Sequence, residues 1–406
     1  MARLAVNGGD KVRTEPWPRW PVWDEREIKA LEEVVRSGRW GRLYEGSRVE
    51  EFEKSFSAYQ DAKFGIAVTS GTAALTIALK AAGVDVGDEV IVPGYTFIAT
   101  ATCALQNNAV PIFVDVELDT INIDPVAIEA AITPRTRAVI PVHWNGRAAD
   151  MDRILDIAKR HNLVVVEDAC HGWGATWKGR KLGAIGDLGA VSFQASKHIT
   201  AGEGGIVLTN DEGLAAKCFS YHHIGRIAGR PFYEHHLVGW NFRMTEFDAA
   251  VLLVQLERLE EQTQRREENA KFLSEQLSGI DGIGLLRRES YMTRISWHGF
   301  GFLYDAEAFG GVPRSKFLAT LNAEGIPAGG GYSHPLYKNP LFTERRFGRI
   351  AEFVDFPDYR AVHCPNCERL CRECVSIDQR CLLGTIDDMC DIVRAMEKIR
   401  ENLDEL

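Results

Sequence analysis

Ser192-Phe-Gln-Ala-Ser-Lys197-His-Ile-Thr-Ala-Gly-Glu-Gly-Gly205 is the stretch on which the fold turns. It leaves one apolar strand candidate, passes a lysine, and enters a glycine-rich turn before a second apolar strand. Gly202, Gly204 and Gly205 permit close backbone approach there. A lysine at the mouth of a buried strand is partly withdrawn from water. Lost hydration lowers its pKa and leaves a free amine able to attack an aldehyde. The competing reading is an ordinary surface lysine on a loop, and the rest of the chain decides between them.

Working outward, short Val- and Ile-rich runs alternate with helical stretches from about residue 60 to 220. The strand candidates are Phe64–Thr69, Glu89–Pro93, Pro111–Val116, Ala138–His143, Leu163–Asp168, Ala190–Phe193 and Gly205–Thr209. Between them lie helix candidates at Ala73–Ala82, Ile98–Gln106, Pro125–Ala131 and Met151–Arg160. Most of the strands are continuous apolar runs, which implies burial on both faces and a mostly parallel seven-stranded sheet flanked by helices. The class is α/β. A long helix is predicted over Thr245–Ser278, with Thr245-Glu-Phe-Asp248 as its capping box. Its first half is apolar and its second half charged, which suggests a solvated bridge to a second region. The expected division is an N-terminal arm and helix (1–40), a large α/β domain (41–270) and a smaller α+β domain (271–406). Trp17, Trp20 and Trp23 in the arm suit either a ligand box or a packing surface, and packing is preferred. Asp24 is expected to cap a helix that ends at Gly38.

The 406 residues are 45% hydrophobic and 26% charged, and the net charge of -10 disfavours nucleic acid and anionic membrane partners. No apolar run reaches signal-peptide or membrane-spanning length. The odd count of nine cysteines fits reduced thiols, and a cytoplasmic protein is expected.

Three features fall at the carboxyl ends of strands, where α/β folds bind ligands. In Thr69-Ser-Gly-Thr-Ala-Ala-Leu75 a strand ends, Ser70 can cap a helix, and the N–H groups at Gly71 and Thr72 can hold a phosphate. In Val164-Val-Val-Glu-Asp168 an apolar strand delivers a carboxylate that needs a cationic or N–H partner, or else serves as a helix cap. The lysine run adds Ser192, whose hydroxyl can join the phosphate site, and Lys197. A phosphate cradle, a carboxylate suited to a ring nitrogen, and an amine for an aldehyde are the three requirements of pyridoxal phosphate.

With those runs stand Val92-Pro-Gly-Tyr-Thr-Phe-Ile-Ala-Thr100, Pro141-Val-His-Trp-Asn-Gly-Arg-Ala-Ala-Asp-Met-Asp152, Glu167-Asp-Ala-Cys-His171 and Gly239-Trp-Asn-Phe-Arg-Met-Thr-Glu-Phe247. In this order they resemble the DegT/StrS-type aminotransferases of fold type I over nearly the whole chain. The resemblance implies that Lys197 binds the cofactor aldehyde and then moves the proton, while Asp168 holds the ring nitrogen's proton. It implies His171 near the cofactor's phenolic oxygen, Phe97 on the ring face, and Gly71, Thr72 and Ser192 on the phosphate. It also implies that Asn241 reaches the neighbouring subunit's phosphate in a homodimer with shared sites. Cys170, Trp144 and Asn145 depart from the commoner pattern. Within the family the chain resembles the glutamine-dependent inosose and aminobenzoate branch.

The expected activity is ping-pong transfer of an amino group from L-glutamine or L-glutamate to a keto-sugar or keto-cyclitol. Candidate substrate residues are Arg243, Tyr332, His334 and Lys338. Arg243 equally suits an interface ion pair, and the run holding the other three equally suits a structural turn. The alternatives are a dehydratase or aromatising lyase of the aminohydroxybenzoate-synthase type, and a non-enzymatic regulator that binds the cofactor or a sugar. Cys364, Cys367, Cys371 and Cys374 suggest a metal, but their spacing fits zinc and iron–sulfur patterns poorly. They are expected as buried thiols on one helical stripe, and no metal site is predicted. His222-His223 and His235-His236 are expected as loop residues near the dimer interface.

Overall fold

The computed structural model describes residues 3–406; Met1 and Ala2, at the start of the N-terminal stretch read above, lie outside it. Its centre is a seven-stranded sheet. The spatial order is Phe64–Val68, Gly205–Thr209, Leu188–Ser192, Val164–Asp168, Thr136–Val139, Glu89–Pro93 and Val110–Val114. Gly205–Thr209 runs antiparallel to both its neighbours, and the remaining neighbouring pairs are parallel. The α/β expectation is met.

Each central strand feeds two cores by simple alternation. Val90 and Val92 pack into one apolar cluster and Ile91 into the other; Val166 and Val165 divide the same way. The helices Gly71–Ala81 and Ala99–Gln106 cover the first face. Arg48–Tyr59, Met151–His161 and Glu246–Leu277 cover the second. The strand expected at Ala138–His143 is observed at Thr136–Val139, and beyond it only Val142 pairs, with Asp168.

The long helix spans Glu246–Leu277, capped by Thr245 with Asp248 completing the capping box. Its second half is not the solvated bridge expected. Leu259, Thr263, Arg266, Asn269, Ala270, Leu273 and Leu277 continue a buried stripe to its end. The polar members of that stripe have partners: Arg266 donates to Gln379 Oε1, and Asn269 donates to the carbonyls of Leu382 and Gly384. Charge counting misreads such a helix because its buried face is itself partly polar.

Past this helix an antiparallel sheet forms in the order Ile283–Leu285, Gly299–Tyr304, Cys374–Asp378, Ala328–Gly330. Arg314–Ala323 and Ile386–Glu401 are its longer helices. Met292–Arg294 pairs back onto Thr176–Trp177, so the chain beyond the long helix also touches the large sheet's side of the molecule.

The N-terminal arm packs, as preferred. Trp17 Nε1 donates to Gly325 O at 2.8 Å and Trp20 Nε1 to Ala195 O at 3.0 Å, so Trp20 roofs the lysine turn. Trp23 stays exposed. Asp24 caps Glu25–Ser37, and Gly38 ends it in the left-handed region.

Two expectations are corrected. The four cysteines do not form one helical stripe: Cys364 precedes the helix Pro365–Glu373 in extended backbone, Cys367 and Cys371 lie within it, and Cys374 begins the next strand. His222 is not a loop residue; it ends the helix Glu212–His222 and is fully buried, whereas His235 and His236 are on an exposed loop.

Candidate active site

Three strand ends converge. Phe64–Val68 leads to Ser70, whose side chain accepts from Ala73 N at 3.1 Å and caps the helix Gly71–Ala81. Ser70 pairs with Gly204, and Leu188–Ser192 ends beside them. A Cβ at Gly71 would lie 2.7 Å from Ser192 Cβ and 3.1 Å from Cys170 Sγ, so only glycine lets the helix start approach Ser192 this closely. Free N–H groups at a helix start beside a serine hydroxyl form an anion cradle.

Asp168 ends Val164–Asp168 and is buried. Its Oδ2 accepts from Thr100 Oγ1 at 2.8 Å and its Oδ1 from Cys170 N at 3.2 Å, which aims the carboxylate. Adjacent Glu167 points to the opposite face and is fully buried. It accepts from the N–H groups of Gly183, Ile185 and Gly186 and contacts His143 Nε2 at 2.8 Å. His143 Nδ1 accepts from Ala149 N, so its Nε2–H donates to Glu167. Burial alone would raise the Glu167 carboxyl; His143 and the N–H groups hold it below its ordinary value. This pair braces the strand that presents Asp168.

The lysine turn is pinched by a Gln194–Gly202 bridge, with Gly202 and Gly204 at φ of +91° and +142°. Lys197 Nζ lies 5.9 Å from the Trp173 ring centroid. Burial pushes its pKa below the ordinary lysine value, and the charges of Cys170 and Asp168 offset part of that shift. His171 accepts from Asn145 N through Nδ1 at 3.4 Å, which leaves its Nε2–H free to donate. Burial first, then the charges of Lys197 and His298, hold it neutral well below its ordinary pKa. His298 stacks on His171 with centroids 4.2 Å apart and planes at 27°. It also borders a cavity of about 350 Å³ shared with Trp20, Ser196 and Arg380.

Of the sequence-expected residues, the structure brings together Gly71, Ser192, Asp168 and Lys197. Tyr332 joins them: burial and the nearby Asp168 charge raise its phenol, and its ring meets Tyr95 edge-on at 5.0 Å. Thr72 follows Gly71 at the helix start, and Phe97 stands exposed just before the helix Ala99–Gln106. Asn241 is exposed and pairs with His223; Arg243 contacts His223 Nδ1 at 3.2 Å and pairs with Val68. Lys338 is tied to Glu368 at 2.9 Å within a short 3-10 turn. His334 is exposed and bonded to Ser333. Thr100, the His143–Glu167 pair and His298 were not singled out in the sequence. Thr100 and Glu167 each sit in a quoted motif, and strand alternation at Glu167-Asp168 was a usable signal. His298 carries none.

The cradle a Cβ at Gly71 would fill, the aimed carboxylate and the partly desolvated amine together fit pyridoxal phosphate. Fold and site therefore define a pyridoxal-phosphate-dependent aminotransferase of fold type I. Residues 21–397 match the DegT/DnrJ/EryC1/StrS aminotransferase family, and the chain belongs to it. It is similar to the L-glutamine:scyllo-inosose aminotransferase of Streptomyces griseus, at 38% identity over 419 residues covering 99% of each chain. The crystal structure of 3-amino-5-hydroxybenzoic acid synthase superposes with a TM-score of 0.87 at 34% identity, covering 95% of this chain and 99% of that one. NtdA from Bacillus subtilis, solved with bound cofactor PMP, gives a TM-score of 0.81 at 28% identity, covering 93% and 82%. Among the described residues no helix is long and apolar enough to cross a membrane.

Proposed function

We propose that the chain moves the amino group of L-glutamine onto an inosose-like keto-cyclitol, with L-glutamate as the second donor to test. The observation that carries the chemistry is the half-buried Lys197 amine across from the aimed Asp168 carboxylate. The substrate class rests on likeness to the S. griseus enzyme along the full chain. Bound pyridoxal phosphate supplies an electron-withdrawing ring that acidifies the carbon bearing the amino group. Lys197 Nζ then takes that carbon's proton, a task suited to an amine whose pKa is lowered toward neutrality. Asp168 keeps a proton on the ring nitrogen, and Thr100 fixes the carboxylate for that purpose. His171 donates from Nε2 to the phenolic oxygen, Phe97 covers the ring, and Gly71, Thr72 and Ser192 hold the phosphate.

The site is shared in a homodimer on this reading, Asn241 of the partner subunit reaching the phosphate. Exposed Phe232, Tyr233 and Val238 on one loop support an interface there. Tyr332 lines the acceptor side, with His334 near it, and Arg243 serves the donor carboxylate.

A second reading, an aromatising lyase, is favoured by the likeness to 3-amino-5-hydroxybenzoic acid synthase. One assay separates the two. Purified enzyme is given L-glutamine and scyllo-inosose, and 2-oxoglutaramate and amino-cyclitol are measured. Equal amounts of both products are expected. Release of water and an aromatic product from an aminated or hydroxylated ring substrate, with no 2-oxoglutaramate, would reverse the assignment.

A further inference from the structure

Away from the lysine turn, Asp115 leaves the strand Val110–Val114 and meets the start of the helix Pro365–Glu373. Its Oδ2 accepts from Asn366 N and its Oδ1 from Cys367 N, both at 3.0 Å. Asn366 Nδ2 donates to Val116 O at 2.8 Å and locks the same junction. Cys364 and Cys367 are 3% and 0% exposed. One ligand atom from each of Asp115, Cys364 and Cys367 falls within 4.8 Å of the others.

We infer that Asp115, Cys364 and Cys367 form a binding site for a borderline-soft divalent cation of the zinc type. Two thiols and a carboxylate are donors that such an ion accepts together, at about 2.0–2.3 Å from the metal. Three protein donors leave the fourth position to water. The hydrogen bonds from the helix N–H groups orient the carboxylate from behind, as outer partners of a metal ligand do. Binding the ion displaces the thiol protons. Each thiol gives up its proton, two sulfur–metal bonds form, and two protons leave to solvent for each ion bound, with no change of oxidation state. The carboxylate that caps this helix start also faces both thiols, so two soft donors and one hard donor converge on a single point.

The site backs onto the active-site approach. A Cβ at Gly94 would lie 3.0 Å from Cys367 Sγ, and Gly94 opens the turn that carries Tyr95 and Phe97. Cys371 and Cys374 lie farther along and are not ligands.

The test uses full-length protein, reduced and stripped of metal, then given one equivalent of Zn2+ or Co2+ and desalted. About one retained ion per chain is expected. Thiolate-to-cobalt absorption should appear, and peptide mapping of loaded against stripped protein should show metal slowing alkylation of Cys364 and Cys367 but not of Cys371. Cys371→Ser should bind as the parent does. Cys364→Ser and Cys367→Ser should lose ~100-fold or more, beyond the ~10–100-fold typical of an outer partner. Should a substituted chain fail to fold, the shielding pattern of the parent alone decides. No retained ion, equal reactivity of all the thiols, or a Cys364–Cys367 disulfide in place of metal binding would overturn the assignment.

Discussion

Lys197 is placed where its chemistry can be tested most directly. Burial lowers its pKa, so its free amine persists at lower pH than that of an exposed lysine, and turnover should fall as pH drops through that lowered value. Lys197→Ala should cost ~10³-fold in turnover, within the range for a lost acid–base group, with added methylamine restoring part of it. A variant within tenfold of the parent would show the proton passing elsewhere. Lys197 and Asp168 were legible in the sequence because each is announced by its own strand and turn. His298 and the Glu167–His143 pair were not, because their partners come from distant segments. Cys364 and Cys374 were misread for a related reason: a spacing of three, four and three residues was taken as one helical face, and the chain enters that helix after the first and leaves it before the last.

At the scale of elements, the helix Gly71–Ala81 matters through its first residue. Gly71→Ala would force a methyl to within 2.7 Å of Ser192 Cβ. Overpacking of this kind costs about 1–3 kcal/mol. At 1.4 kcal/mol per tenfold, retention of pyridoxal phosphate should weaken by ~5- to 100-fold, read by dialysis and absorbance. Unchanged retention would mean the helix start does not bound the phosphate site. The sheet and most of its helices were readable because alternating apolar runs and helical stretches are local signals. The long helix shows the limit. Its capping box was plain, but its polar buried stripe looked like solvent-facing sequence, since Thr263, Arg266 and Asn269 reveal their burial only through their partners.

At the scale of the molecule, the proposed shared-site homodimer makes a quantitative claim. Lys197→Ala and Asn241→Ala, each impaired alone, should complement when unfolded and reassembled together. Random pairing gives half hybrids, each with one intact site, so about a quarter of parental activity should return. No recovery above the two separate variants would place each site within a single chain. An interface of this kind is expected only by resemblance, because no single-chain periodicity encodes a surface that a second copy covers.

The pairing of Ser70 with Gly204 fixes when, during synthesis, vitamin B6 can be captured. A nascent chain that has just exposed Ser70 still lacks Ser192, Lys197 and the edge pairing that closes the pocket. Such distant closures come late because looping entropy must be overcome first. The chain therefore leaves the ribosome past its midpoint before the helix start and the lysine turn can meet, and during that interval the strand Phe64–Val68 has no partner in Gly205–Thr209.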